Sequence, residues 1–152
     1  MSKRSAGLVM YRRRDSKIEV FLVHPGGPFW AKKDLGAWSI PKGEFVDGEE
    51  PLEVAKREFE EETGFVPDGH FTELGDLKQP GGKIITVWAF EGDCDPTKLG
   101  SNTFMMEWPP RSGLQIKVPE VDRGCWYTVE DARVWLLAGQ RAFLDRLLEK
   151  VR

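Results

Sequence analysis

Apolar positions along the chain gather in short runs that glycine, proline and charged residues interrupt. The runs at 5–14, "SAGLVMYRRR", and 17–27, "KIEVFLVHPGG", predict two strands joined by a turn at "DSK". Residues 24–38, "HPGGPFWAKKDLGAW", combine glycine, proline and aromatics and predict a loop; "WSIP" then reads as a short strand running into "KGEF". A helix is expected over Pro51–Thr63, because Pro51 suits its first turn and Gly64 the residue past its end. Strand patterns return at 71–79 and 83–93, separated by the turn-like "PGG". The stretch 101–113, "SNTFMMEWPPRSG", predicts a strand or extended segment, and "CWYT" at 125–128 a short strand. Helices are expected at 129–139 and 140–151, the second with Phe143, Leu144, Leu147, Leu148 and Val151 on one stripe. Strands, one helix, more strands and terminal helices together predict a mixed α/β layer architecture in a single domain spanning 1–152.

Composition narrows the function classes. The content of 40% hydrophobic and 31% charged residues suits a soluble globular protein. A net charge of −3 supplies no general attraction for nucleic acid or membrane, so neither partner is expected. No apolar run reaches the length of a secretory core or of a membrane span, and the expectation is a cytoplasmic protein. Cys94 and Cys125 form no CxxC pair and read as two reduced thiols, while His24 and His70 lack partners at metal spacing and read as structural or surface residues.

One segment breaks the balance. "GEFVDGEEPLEVAKREFEEETGF", residues 43–65, holds eight glutamates and one aspartate, with Glu60, Glu61 and Glu62 consecutive. On a helix, Glu58, Glu61 and Glu62 stand at i, i+3 and i+4 and share a face, while Leu52, Ala55 and Phe59 form an adjoining apolar stripe. Arg57 can reach Glu61 at i+4 or Glu49 near the helix start. Like charges at such spacing repel, and three carboxylates on one face suit a hard divalent cation with oxygen ligands, Mg²⁺ or Mn²⁺; the alternative is an acidic face neutralised by basic neighbours.

The order of fixed residues favours the cation. Gly43 is followed by five residues and Glu49; seven more lead to Arg57-Glu58-Phe59, then Glu61-Glu62, then Gly64-Phe65. This spacing resembles an intact Nudix box, the signature of hydrolases acting on diphosphates linked to another moiety. The resemblance implies an α/β/α sandwich with a mixed sheet. It implies that Glu58, Glu61 and Glu62 hold the cation with the carbonyl of Gly43, and that Arg57 and Glu49 orient the acidic face. It further implies general-base catalysis by Glu58 or by a later loop acid. Glu120, six residues before Trp126, fits such a loop acid as ligand or base; the alternative is a surface acid, and Asp122 is its local competitor. "WSIPKG" resembles the W-x-x-P-K-G approach of polyphosphate-cleaving members, which makes Lys42 a phosphate-contact candidate. Trp30, in the glycine-rich loop, is the base-stacking candidate, and Arg111 and Lys117 are further phosphate-contact candidates. The expected activity is Mg²⁺-dependent cleavage of a diphosphate linkage in a dinucleoside polyphosphate, a nucleoside triphosphate or a related nucleotide, by a monomer or homodimer. The rival is a non-catalytic module of the same fold that senses nucleotide or binds a partner.

Overall fold

The computed structural model of the protein describes residues 3–151. Strands β1 (Arg4–Arg14) and β2 (Lys17–Pro25) form an antiparallel hairpin, and β3 (Lys42–Phe45) pairs with the first half of β1. After helix α1 (Pro51–Thr63) come β4 (Thr72–Lys78) and β5 (Ile84–Glu91), then β6 (Thr103–Glu107), β7 (Gln115–Pro119) and β8 (Val121–Thr128). Helices α2 (Val129–Trp135) and α3 (Ala142–Val151) end the described chain. The main sheet runs β4-β5-β1-β2-β8 with β3 also on β1, while β6 and β7 make a separate two-stranded sheet. Because β1 and β5 are parallel and the other pairs antiparallel, the sheet is mixed.

Period-2 alternation explains the layers. In β1, Ala6, Leu8 and Met10 point to one face and Val9 to the other; in β2, Phe21 and Val23 oppose Val20 and Leu22. The first face packs against Val54, Ala55 and Phe59 of α1. The second packs against Ala132 of α2, Leu136, and Phe143, Leu144 and Leu147 of α3. A sheet covered on both sides needs a nearly continuous apolar run in its middle strand, which is how β1 reads.

Several expectations change in detail. "WSIP" makes only isolated bridges, Ser39 to Val23 and Trp38 to Leu136. Strand β7 was not expected, although Ile116 and Val118 alternate with Gln115 and Lys117; it pairs with β6. Strand β8 begins at Val121 rather than Cys125, because it draws its pairing from β2 along nearly its whole length. Helix α2 stops at Trp135, where Leu136 turns to extended backbone with ψ 145.

Candidate active site

Helix α1 begins without a side-chain cap, with Pro51 in its first turn, and ends at Gly64 in the left-handed region at φ 81. Its last carbonyls would otherwise lack partners. The segment 100–102 supplies them: Gly100 N–H donates to Thr63 O (2.9 Å) and Asn102 N–H to Glu61 O (2.8 Å). A side chain at position 64 would collide with the backbone of Gly100, so the glycine serves both the turn and the contact. The same segment reaches onward, since Glu120 N–H donates to Asn102 O (2.8 Å) and Gly26 N–H to Glu120 O (3.0 Å). Residue 120 is therefore tied by backbone to the end of the acidic helix.

The outcome is a cluster. Carboxylate oxygens of Glu58, Glu62 and Glu120 all lie within 4.8 Å of one another, the one such group of three His, Cys, Asp or Glu side chains among the described residues. Glu61, one position along the helix, is close enough to raise the pKa of both Glu58 and Glu120. Asp122, the local competitor for the loop acid, points its carboxylate at His24 instead. Of the two sequence readings of Glu120, loop acid and surface acid, the structure places it beside the helix. Nothing in the residues around 120 announces this, because the tie runs through the backbone of Asn102 and Gly26.

Burial and mutual repulsion govern the electrostatics. Burial pushes the Glu62 carboxyl up to about 8, with Glu120 and Glu58 adding to the rise and the charge and backbone N–H of Lys42 opposing it. Glu58 is raised first by burial, then by Glu61 and Glu120, against the pull of Arg57 and Lys42. Glu120 is raised by burial and by Glu61. An oxygen-only donor set that burial and repulsion push toward protonation fits a hard divalent cation, which would restore the charged forms. The backbone of β3 fits too, because a Cβ built on Gly43 would fall inside the Glu58 carboxyl. Gly43→Ala is accordingly expected to evict that carboxylate and weaken Mn²⁺ binding by roughly tenfold or more. Calorimetric titration with Mn²⁺, alongside circular dichroism to confirm the fold, checks it; parental affinity in the folded variant overturns it.

Arg57 does not pair with Glu61. Its guanidinium lies 3.2 Å from Glu49 and 3.8 Å from Glu58. Glu49 also accepts from Val46 N–H (3.0 Å), and that bond, followed by the Arg57 contact, lowers its pKa. Arg57 is half exposed, so Arg57→Ala is expected to leave the melting temperature nearly unchanged. Cation affinity and turnover should nevertheless fall together. A melting scan with a Mn²⁺ titration tests this, and a loss of substrate affinity alone would contradict it.

Trp30, Lys42, Glu62 and Glu120 line one cavity of about 270 Å³, together with Val23, Ala37 and Leu137 among others. Lys42 is aimed by the segment before it: Gln140, buried, accepts from Ile40 N–H (2.9 Å) and donates to Ser39 Oγ (3.0 Å). The Trp30 ring meets Phe29 edge to face at 5.2 Å, and the Lys33 ammonium sits 3.8 Å from Phe29 and 5.4 Å from Trp30. Arg111 lies elsewhere, exposed in the β6–β7 turn at φ 63, its N–H donating to Glu107 (2.8 Å); Lys117 is exposed on β7. Neither lines the cavity.

The family model for the NUDIX domain matches residues 1–150. A bis(5'-nucleosyl)-tetraphosphatase (asymmetrical) of Mus musculus is 31% identical over 103 residues, which is 60% of this chain. That match spans 66% of the mouse protein, just under two thirds of its length. Among solved structures, the NUDIX domain of Shewanella oneidensis NrtR, complexed with ADP ribose, superposes with a TM-score of 0.69 at 16% identity, covering 100% of this chain and 90% of that one. The C. elegans Ap4A hydrolase superposes with a TM-score of 0.63 at 20% identity and 100% coverage of both chains. At such identities the structural likeness speaks for the fold, a mixed sheet between helices, and the family model over residues 1–150 shows the family. The chain belongs to the NUDIX domain family.

Proposed function

We propose that the protein is a divalent-cation-dependent hydrolase that cleaves a phosphoanhydride bond in a nucleoside polyphosphate, either a dinucleoside polyphosphate or a nucleoside triphosphate. The observation that carries this reading is the convergence of Glu58, Glu62 and Glu120 beside a cavity lined by Trp30 and Lys42. The naming of the mouse relative as a tetraphosphatase and of the C. elegans neighbour as an Ap4A hydrolase supports the substrate class.

Glu58, Glu62 and Glu120, with Glu61 and the Gly43 carbonyl, would hold Mg²⁺ or Mn²⁺. When bound, the cation supplies neutralisation of phosphate oxygens and acidification of water. The chain's own groups do the rest. The Lys42 ammonium offsets phosphate charge at the cavity wall, and the Trp30 ring offers a face for a base. The Glu58 carboxylate accepts the proton of the attacking water, and its raised pKa brings it nearer to the pH at which a general base works best. Glu120 and Glu62 bind at the cluster, and Arg57 holds Glu58 in place.

Incubation with a panel of nucleoside polyphosphates in Mg²⁺ and in chelator, with chromatographic identification of products, tests the proposal. Mg²⁺-dependent release of mononucleotides or pyrophosphate is the expected result. Nucleotide binding without any product would favour the sensing module instead, a reading that the ADP-ribose complex of the NrtR domain makes worth the comparison.

A further inference from the structure

His24 is fully buried, and both ring nitrogens are engaged. Nδ1 lies 2.8 Å from Asp122 Oδ1, and Nε2–H donates to the Lys33 carbonyl, which can only accept. Both partners lie outside the cavity described above but close in the chain to residues that line it, Trp30 and Glu120. Lys33 is in the loop that carries Trp30, and Asp122 stands two residues after Glu120.

The strand register gives the arrangement its purpose. In the β2–β8 pairing, His24 opposes Arg123 and Pro25 opposes Val121, so Asp122 is an extra residue on β8. Such a bulge shifts the alternation of side chains by one position and re-aims what precedes it. The residue two positions before the bulge is Glu120. Two rungs then join the same pair of segments, His24 to Asp122 through side chains and Gly26 N–H to Glu120 O through backbone. Gly26 permits the second because a Cβ there would strike the Pro119 carbonyl. The His24 ring is further braced by Trp38, edge to face at 5.3 Å.

We propose that His24, acting through the bulged Asp122, is a positioning residue that aims Glu120 at Glu58 and Glu62 and sets the Trp30 loop over the cavity. The inference rests on reading the carboxylate cluster as a cation site, and its test uses Mn²⁺ binding as well as turnover. A Gln side chain at position 24 can still reach toward Lys33 but gives up the Asp122 contact, while an Asn amide sits where Nδ1 was and keeps it.

Calorimetric titration with Mn²⁺ and melting scans on the parent, Asp122→Ala, His24→Gln, His24→Asn and Glu120→Gln provide the test. Asp122→Ala and His24→Gln are expected to weaken Mn²⁺ binding roughly tenfold, the size seen when a group that orients a metal ligand is removed. His24→Asn is expected to keep the Mn²⁺ affinity and raise the nucleotide KM, because it frees Lys33 and the Trp30 loop. If Asp122→Ala does not fold, His24→Gln carries the test. Folded Asp122→Ala or His24→Gln with parental Mn²⁺ affinity, where Glu120→Gln has lost it, overturns the positioning role and leaves the cation site standing. A parent that binds no Mn²⁺ overturns both.

Discussion

Replacing Glu62 by Gln is expected to remove most hydrolysis and, in chelator, to make the protein more stable at alkaline pH. Burial holds the folded-state carboxyl near pH 8, far above its unfolded value of 4.5. Below the lower value both states are protonated and the group contributes nothing to the pH dependence. Between the two, the folded protein keeps a proton that the unfolded chain has released, so stability falls as pH rises. Above about 8 the full penalty of a buried, repelled charge is present, on the order of a few kcal/mol. A neutral amide of nearly the same shape avoids it. For a chain of this size that corresponds to a melting temperature higher by roughly 5–10 °C at pH 9 and little changed at pH 5. The same substitution deletes a cluster oxygen, and losing several kcal/mol of electrostatic stabilisation lowers turnover by roughly 10²-fold or more. Melting scans in chelator across pH, with initial rates in saturating Mg²⁺, measure both effects. A variant no more stable than the parent at pH 9, and equally active, would remove Glu62 from the site.

Glu58→Gln is expected to cost ~10²–10⁴ in kcat, the range for a positioned general base, and to cost more than Glu120→Gln. Both side chains belong to the cluster, so loss of either should weaken the cation. They differ in how they are held. The Glu58 side chain is only 15% exposed, pressed against Gly43, with the Arg57 guanidinium 3.8 Å away on a rigid helix. Glu120 is fastened through its backbone, and its side chain is somewhat less buried than that of Glu58. Rates at saturating Mg²⁺ and substrate separate the base from a ligand that excess cation can restore. The reverse order, with the larger kcat loss in Glu120→Gln, assigns the proton transfer to Glu120 and leaves Glu58 a ligand.

The residues that could be placed from the chain alone are those whose neighbours are local. Glu58 and Glu62 are four apart, and helical geometry puts them together in any helix; Pro51 and Gly64 mark where that helix starts and stops. The spacing from Gly43 to Phe65 was enough for the family, and the alternation in β1 and β2 for a sheet buried on both faces. Trp30 and Lys42 were found as candidates and do line the cavity, whereas Arg111 was singled out by its charge and lies in an exposed turn.

Glu120 is the opposite case. Its neighbourhood, "VPEVDRG", reads equally well as a surface loop. Its approach to Glu58 depends on a bulge at Asp122 and on backbone hydrogen bonds to Asn102 and, far away in the chain, Gly26. Backbone donors carry no residue signature, so no pattern in the letters records that Asn102 and Gly26 hold position 120. His24 likewise reads as an unremarkable strand histidine until β8 brings an aspartate to one nitrogen and the Trp30 loop brings a carbonyl to the other. Helical periodicity determined two of the three carboxylates within one segment of the sequence; the third, and the walls of the cavity around it, were decided by strand register, because only pairing across the sheet brings those distant segments together.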